Sequence, residues 1–244
     1  MSDYSEFTFT LDNRLAAVSA INDGSAVLAT DGISCCVRRI CGCRQSDAVG
    51  TLRPYRRLRR ASDGVGYTAI SCEGSRIYRL NDAFCECGYT ELESGCGCGC
   101  RCGCGCSDEC DYCLTDAMTI SIGEKAFYIG AFGHSAYLFD NTGKRLSKLC
   151  ETARSEYLDS FISFGAERYA SVTSCGSTQT VTVSDGGRLQ SALLGRCGVL
   201  RMLFAEDEVI YGLFGHNYLY NRIIPIYSQG ILTLPTIENQ TFSC

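Results

Sequence analysis

The sequence has no tryptophan, only three prolines and only two histidines among 244 residues. It also has no long apolar segment. No apolar run approaches the roughly 18 residues that a membrane-spanning helix needs. The start, MSDYSEFTFTL, carries two acidic residues before any basic one and no long apolar run, so we expect no secretory signal. We therefore expect a soluble protein of the cytoplasm, with a spore or cell surface as the alternative location.

Familiar catalytic motifs are missing as well. The sequence contains no Gly-x-Ser-x-Gly elbow, no phosphate-binding Gly-x-x-x-x-Gly-Lys loop and no His-Glu-x-x-His helix. Two histidines leave few candidates for acid–base catalysis near neutral pH. We therefore predict that the protein is not an enzyme and has no catalytic or cofactor-binding residues.

The formal net charge of -5 argues against a dedicated nucleic-acid binder, although the charge is unevenly distributed. Eight arginines and one acidic residue, Asp47, lie between Arg38 and Arg60. The run Arg53 to Arg60 has two interpretations. It binds an anion, facing a central channel if it forms an innermost strand, or it is a solvated surface balanced by acids such as Asp63 and Glu73.

What the sequence does contain is a repeat of strands and turns, rich in glycine, tyrosine and phenylalanine. Five segments share a short apolar strand, a Gly-containing turn and a second alternating strand: VLATDGISCCV from Val27, YTAISCEGSRIYRL from Tyr67, FYIGAFGHSAYLFD from Phe127, YASVTSCGSTQTVTV from Tyr169 and IYGLFGHNYLYN from Ile210. Their starts are 40, 60, 42 and 41 residues apart. The long interval contains a Cys-Gly run, which indicates an insertion between the second and third copies.

The strongest internal match is Gly130-Ala-Phe-Gly-His134 against Gly212-Leu-Phe-Gly-His216. Further strands and polar turns flank each copy, which gives about four strands per 41 residues, and in this the chain resembles the β-propeller superfamily. The resemblance implies an all-β, five-bladed propeller with blades starting near residues 14, 55, 114, 158 and 199. It matches no named family, because a chain without tryptophan lacks the Trp-Asp repeat and the kelch Gly-Gly doublet occurs once. A β-sandwich or irregular barrel is the alternative, and a sixth degenerate blade stays open.

The N-terminal segment Phe7–Leu11 alternates like a strand but has no blade of its own. Propellers commonly close the ring by letting one terminus complete the blade of the other. We therefore predict that it pairs with Gly230–Leu234.

The insertion, residues 88–113 of the single domain, has the highest density of potential metal ligands in the chain. Eight cysteines lie within eighteen residues: Cys96, Cys98, Cys100, Cys102, Cys104, Cys106, Cys110 and Cys113. Thiolates favour zinc, copper or iron–sulfur chemistry, and Cys110 and Cys113 have a common zinc-ligand spacing. The alternating pattern resembles metallothionein. The alternatives are disulfide cross-links, as in a spore-coat or surface-layer protein, and a loop without a defined role.

Two more groups of potential ligands follow from the repeat. Cys35, Cys36, Cys72, His134, Cys175 and His216 fall at the same turn of successive copies, although a structural role for both histidines is the simpler interpretation. The pairs Cys41/Cys43 and Cys85/Cys87 would meet on neighbouring blades as a four-thiolate zinc site, or they are small buried apolar residues.

Taken together, these features predict a non-enzymatic scaffold that displays a loop binding zinc or another soft metal ion. A protein partner on one propeller face is a further expectation, whereas membrane and nucleic-acid partners are not expected.

Overall fold

The computed structural model shows a chain built from β-strands. It describes residues 7–10, 15–20, 26–31, 36–41, 44–51, 55, 57–70, 74–93, 114–194, 199–206, 208–216 and 220–235, and for those up to residue 51 and for 216 and 220–222 it describes the backbone alone. Among these residues no helix is long and apolar enough to cross a membrane.

Four antiparallel sheets each consist of four consecutive strands, and we refer to them as blades 1 to 4. Blade 1 contains β2 (Leu15–Ala20), β3 (Ala26–Asp31), β4 (Cys36–Cys41) and β5 (Arg44–Thr51). Blade 2 contains β6 (Arg57–Arg60), β7 (Tyr67–Ile70), β8 (Arg76–Leu80) and β9 (Glu86–Glu91). Blade 3 contains β10 (Leu114–Ile122), β11 (Lys125–Phe132), β12 (Ser135–Phe139) and β13 (Arg145–Glu151). Blade 4 contains β14 (Tyr157–Gly165), β15 (Arg168–Cys175), β16 (Thr178–Asp185) and β17 (Arg188–Leu194).

The remaining strands form a different sheet, here the closing sheet, which joins both ends of the chain. It has five strands: β1 (Phe7–Thr10), β18 (Val199–Glu206), β19 (Val209–His216), β20 (Tyr220–Ser228) and β21 (Ile231–Leu232). The all-β propeller prediction is confirmed. The prediction of five blades is corrected to four, because four of the described sheets have the regular four-strand form and the closing sheet takes its edge strand β1 from the N-terminal part of the chain.

The predicted repeat corresponds to one strand of every sheet. Val27, Tyr67, Phe127, Tyr169 and Ile210 lie in β3, β7, β11, β15 and β19, the second strand of each four-strand meander. The spacing of 40 to 42 residues outside the insertion therefore reflects equivalent positions in successive sheets.

The N-terminal strand does complete the C-terminal sheet, but its predicted partner is wrong. Phe7 pairs with Ile223 and Thr10 with Tyr220, so β1 lies along β20 and not along Gly230–Leu234. The short strand β21 occupies the same edge of β20 further on, where Tyr227 pairs with Leu232. The edge of β20 is thus shared by the two termini, which covers backbone groups that would otherwise stay unpaired.

The apolar core lies between neighbouring sheets. One buried cluster joins Ile70 and Ile77 of blade 2 to Leu114 and Phe132 of blade 3. Equivalent clusters join blade 3 to blade 4 and blade 4 to the closing sheet. Each fully buried leucine or phenylalanine contributes about 1.5–3 kcal/mol relative to its exposure in water.

Four innermost strands share a backbone irregularity next to a leucine. The register of the pairing shifts between Leu15 and Ala17, Leu114 and Asp116, Leu158 and Ser160, and Leu200 and Met202. A bulge of this kind bends a strand and increases its twist. Its recurrence is independent evidence that these strands are copies of one unit.

The repeated Gly-x-Phe-Gly-His motif has a packing explanation. A Cβ atom on Gly130 would lie 2.7 Å from Leu92 Cδ1 and 3.1 Å from Leu114 Cδ1. On Gly212 it would lie 2.8 Å from Leu200 Cδ1, the leucine that corresponds to Leu114. A side chain at either position would force the end of a leucine to shift, which favours glycine where the bulge leucine of the innermost strand packs onto the second strand.

The predicted insertion starts within β9, because Gly88 to Glu91 belong to that strand. Beyond it, the amide of Leu92 donates to the carbonyl of Ser75 at 2.9 Å and that of Glu93 to the carbonyl of Gly143 at 2.8 Å. Residues 94–113 lie outside the described ranges.

Candidate binding groove and central channel

The short strand β6 sends two arginines across the centre of the propeller. Residues two apart point to the same side of a strand, so Arg57 and Arg59 lie together. Arg57 donates from Nη2 to the carbonyl of Arg201 at 2.8 Å and to that of Asp159 at 3.3 Å. Arg59 donates from Nη1 to the carbonyl of Leu203 at 2.6 Å. Both side chains therefore reach the innermost strands of blade 4 or the closing sheet.

Asp116 is the acceptor at the centre of this network. Arg59 donates to its two carboxylate oxygens, from Nε at 3.1 Å and from Nη2 at 2.6 Å. The Ser160 hydroxyl donates at 2.6 Å and the Phe161 amide at 3.1 Å. Asp116 is 0% and Arg59 is 6% exposed. The pair is thus buried, bidentate and further hydrogen-bonded, and it links blades 2, 3 and 4 and the closing sheet.

The electrostatic balance favours the charged form of Asp116. Burial alone would raise the pKa of Asp116, but the positive charges of Arg59 and Arg57 and hydrogen bonds from Arg59 and Ser160 outweigh burial and lower it. The carboxylate therefore stays ionised beside Arg59 at neutral pH.

This geometry bears on the two interpretations of the run Arg53 to Arg60. Innermost strand β6 does carry arginines toward the channel, as one interpretation of the Arg53–Arg60 run required. The charge of Arg59, however, is balanced by Asp116 of a neighbouring blade, an acid that the sequence interpretation did not name. A buried arginine needs such a partner because an unpaired charge in the interior costs several kcal/mol.

A groove of ≈ 1040 Å³ lies between blades 3 and 4. Blade 3 contributes apolar side chains, among them Met118, Ile120, Ile129, Leu138 and Leu149. Blade 4 contributes a more polar wall that includes Phe161, Ser163, Tyr169 and Ser184. The turns Gly123 and Gly165–Arg168 border the groove at one propeller face.

The groove exists because blade 4 has two unlike faces. On the face toward the closing sheet, here the sealed face, lie Val172, Val181 and Val183, each 0% exposed. On the face toward blade 3, here the open face, the pairing aligns Tyr169 with Ser184 and Ser184 with Leu189. Leu189 and Leu193 on this face are 64% and 67% exposed. Blades 3 and 4 therefore pack at their inner strands but separate toward their outer strands.

Few titratable side chains line the groove. Arg168 is bound within blade 4 and the closing sheet, with Nε 2.8 Å from Asp185 Oδ1 and Nη1 3.1 Å from Glu208 Oε1. It also stacks over Phe164, with 4.6 Å between the guanidinium and the ring centroid. Glu167, in the same turn, is exposed. Within the described residues, the lining thus offers contact surface rather than a set of convergent acid and base groups.

Cys150 packs behind the groove against the apolar cluster shared by blades 3 and 4. Burial raises the pKa of the Cys150 thiol to about 11. The thiol is therefore protonated at neutral pH and behaves as a small apolar side chain.

The eight cysteines predicted to bind metal, Cys96 to Cys113, lie outside the described residues, so their role stays a prediction. In the part of the chain that the structure describes, no group of three or more His, Cys, Asp or Glu side chains is arranged to hold a metal ion. Of the proposed four-thiolate set, Cys85 and Cys87 are exposed and Cys43 lies outside the described residues.

Two residues from the predicted ring of turn ligands are described with their side chains. His134 donates from Nδ1 to the carbonyl of Glu156 and lies beside Tyr157, with 5.0 Å between ring centroids. It thereby fixes the chain that enters blade 4, which is the structural role expected for it. Cys175 is exposed at the corresponding turn of blade 4.

Sequence reasoning missed Asp116 and the groove. A signal for Asp116 exists: the innermost strands are mostly apolar, and a carboxylate inside one of them requires a cationic partner, which the arginines of β6 supply. No comparable signal exists for the groove, because its width depends on the angle between two sheets.

No family model matches the sequence, and no curated protein matches it either. Among solved structures, hydrazine synthase of Kuenenia stuttgartiensis is similar with a TM-score of 0.49 and 10% identity, covering 90% of this chain and 60% of that one. The β-propeller domain of Myceliophteria thermophila Cps50 (Swd1) gives 0.45 and 9%, covering 86% and 69%. The Pan2 WD40 domain of Neurospora crassa gives 0.42 and 12%, covering 90% and 65%. The chain thus spans less than two thirds of the first and last of these proteins, and likenesses at this level carry no information on function.

Proposed function

We propose that the chain is a non-enzymatic β-propeller scaffold, which binds a protein partner in the groove between blades 3 and 4 and displays a cysteine-rich loop for soft metal ions. In this proposal the closing sheet acts as the fifth blade. The groove carries the argument, because it combines a large volume with mainly apolar lining and a cation, Arg168, that is already paired. Apolar concave surfaces of this size are typical of binding sites.

The rigidity that a scaffold requires has a source in the channel. Arg59 and Asp116 connect innermost strands of blades 2 and 3, and Ser160 and the carbonyl of Leu203 extend the network to two further sheets. A buried network with its members satisfied holds the relative positions of the strands that contribute to it. The groove walls are therefore held from the centre, whereas their outer strands stay accessible.

Photo-crosslinking tests the binding role. A benzophenone amino acid replaces Leu149, which lines the groove, and in a matched control it replaces Leu146, an exposed leucine of the same strand outside the lining. After irradiation in an extract of the source cells, we expect a discrete protein adduct at position 149 that is absent at 146. Equal labelling at both positions, or none at 149, contradicts the binding role.

The metal-binding loop is the second part of the proposal, supported by eight cysteines within eighteen residues. Four thiolates complete a tetrahedral zinc site, so the loop has enough ligands for two ions. The two sides of the loop are anchored, by the backbone hydrogen bonds of Leu92 and Glu93 and by the start of β10 at Leu114. Residues 95–113 can therefore be exchanged without removing any of the described strands.

Native mass spectrometry of the reduced protein, purified with and without a chelator, tests this part. We expect a difference of whole zinc or copper ions, and no difference after residues 95–113 are replaced by a short Gly-Ser connector. An unchanged mass overturns metal binding. If the thiols also resist alkylation until a reductant is added, the disulfide cross-linked structural protein of a spore coat or cell surface is the better account.

A further inference from the structure

We propose that the groove between blades 3 and 4 takes a protein segment that presents apolar side chains flanked by lysine or arginine. This inference rests on the proposed binding function and specifies the chemistry of the partner. It combines three observations: an apolar wall, a hydroxyl-bearing wall and an acidic rim.

The apolar wall selects for aliphatic or aromatic side chains. Ile129 and Leu138 are aligned across β11 and β12, and Met118 is aligned with Ile129 across β10 and β11. Leu149 continues this wall outward and is 37% exposed. Covering it removes apolar surface from water, which is the main favourable contribution at most protein contacts.

The opposite wall selects for a polypeptide rather than a purely apolar ligand. Ser163, Tyr169 and Ser184 of blade 4 line the groove, and each carries a hydroxyl. On the open face, Thr180 and Thr182 of β16 continue the line of Ser184 beyond the lining. Hydroxyls both donate and accept hydrogen bonds, so this wall can pair with the amides and carbonyls of a peptide backbone.

The rim selects for positive charge. Exposed Glu124 follows Gly123, exposed Glu167 belongs to the lining, and exposed Asp63 follows Ser62, which also lines the groove. Of the nearby cations, Arg168 is paired with Asp185 and Glu208, and exposed Arg188, which follows Gly187 of the lining, acts on Asp185 as well. Together with Lys125 these are three cations against five carboxylates, the three named above and Asp185 and Glu208, so the rim is acidic in balance. An acidic rim around an apolar groove repels anionic partners and attracts cationic ones.

Selection from a random library of twelve-residue peptides tests the inference, with the full chain immobilised. We expect peptides enriched in Leu, Ile or Phe together with Lys or Arg. The affinity of a selected peptide, measured by fluorescence anisotropy, should fall about tenfold or more for Leu149→Asp, the equivalent of burying one leucine. Leu146→Asp is the matched control and should change it by less than about twofold.

A charge-reversal variant tests the contribution of the acidic rim. In Glu124→Lys/Glu167→Lys, selection should return peptides that are no longer enriched in lysine and arginine, and affinity for the original peptides should fall in the wild-type protein when salt is raised. Enrichment of acidic peptides by the wild type, or a response to Leu146→Asp equal to that of Leu149→Asp, overturns the inference.

Crosslinking and peptide selection together distinguish failure of this inference from failure of the proposed binding role. If crosslinking at position 149 captures a protein but the selected peptides lack basic residues, the partner chemistry is wrong and the binding role stands. If crosslinking and selection both fail, the binding role is wrong too. A dimer in light scattering that Leu149→Asp abolishes, or a lipid retained in native mass spectrometry, would assign the groove to a second copy or a lipid and overturn the inference.

Discussion

Blade 4 presents the same strands to two neighbours, and the two faces differ. Its sealed face puts Val172, Val181 and Val183 against the closing sheet at 0% exposure. Its open face carries Thr180, Thr182 and Ser184 and ends in two exposed leucines, Leu189 and Leu193. A one-residue alternation in β16 thus separates a surface that holds the ring together from one that is accessible.

The difference shows how a propeller can spare one interface for binding. The inner strands of blades 3 and 4 still pack through Leu158 and Phe161, and the channel network holds them at the centre. Only the outer part of this interface lacks a packed neighbour. A groove therefore forms without loss of the contacts that hold the blades in place.

The largest effect is expected from breaking the sealed face. Val181→Asp buries a carboxylate among apolar side chains, so we expect a loss of about 5 kcal/mol in the free energy of unfolding, or no folded protein. Thr182→Asp, the adjacent residue on the open face, should cost less than about 1 kcal/mol. Thermal and denaturant unfolding of the two variants measure the contrast, and equal losses would mean that the two faces are alike.

The channel pair is the polar counterpart of the sealed face. Asp116→Asn leaves the Arg59 charge buried without its counter-ion, and we expect it to cost about 3 kcal/mol in denaturant unfolding. The double variant Arg59→Met/Asp116→Leu removes both charges and should recover part of this loss. If the double variant loses the sum of two independent single effects, the two residues are not coupled.

The same pair predicts a pH dependence. Because the folded-state pKa of Asp116 is lowered, its contribution to stability is fully present above the unfolded value of about 3.9 and is lost as pH falls through the folded pKa. The stability difference between wild type and Asp116→Asn should therefore be constant near neutral pH and shrink below about pH 4. A difference that grows on acidification contradicts the assignment of an ionised Asp116.

A smaller effect is expected where the motif glycines pack against leucine. Gly130→Ala and Gly212→Ala each place a methyl group against Leu114 or Leu200, and we expect about 1–3 kcal/mol of destabilisation from overpacking. Similar values for both variants, by chemical denaturation, would confirm that the motif marks equivalent sites. A neutral Gly212→Ala beside a costly Gly130→Ala would show that the two sites differ.

The smallest effect is expected on the open face. Leu193 is exposed at the outer strand, so Leu193→Lys should change the free energy of unfolding by no more than about 0.5 kcal/mol. A shift in melting temperature comparable to that of the glycine variants would mean that Leu193 is packed.

More of the fold than of the candidate site could be predicted from the sequence. The recurring strand pattern, spaced by 40 to 42 residues outside the insertion, predicted the second strand of each sheet, because every copy must repeat the same alternation to pack on its neighbours. The partner of β1 was wrong because Gly230–Leu234 contributes only a two-residue strand, and β20 offers a longer edge. Asp116 was missed because a single carboxylate in an apolar strand gains meaning only when Arg59, 57 residues away, lies beside it.

The groove itself depends on how two sheets diverge, which no local pattern specifies. TQTVTVSD in β16 shows that one face is apolar and the other hydroxyl-rich, but not that the hydroxyl face lacks a close neighbour. From the sequence alone, Leu189 and Leu193 of β17 could equally be assigned to the core.

Methyl NMR with a soluble gadolinium chelate tests the difference between the two faces most directly, because relaxation by the chelate falls steeply with a methyl group's depth below the surface. The methyl groups of Leu149, Leu189 and Leu193 should relax strongly, whereas those of Val172, Val181 and Val183 should be nearly unaffected. Equal protection of Leu149, which lines the groove, and Val181 would mean that the groove is closed in solution, and it would contradict the account of an interface left open for a partner.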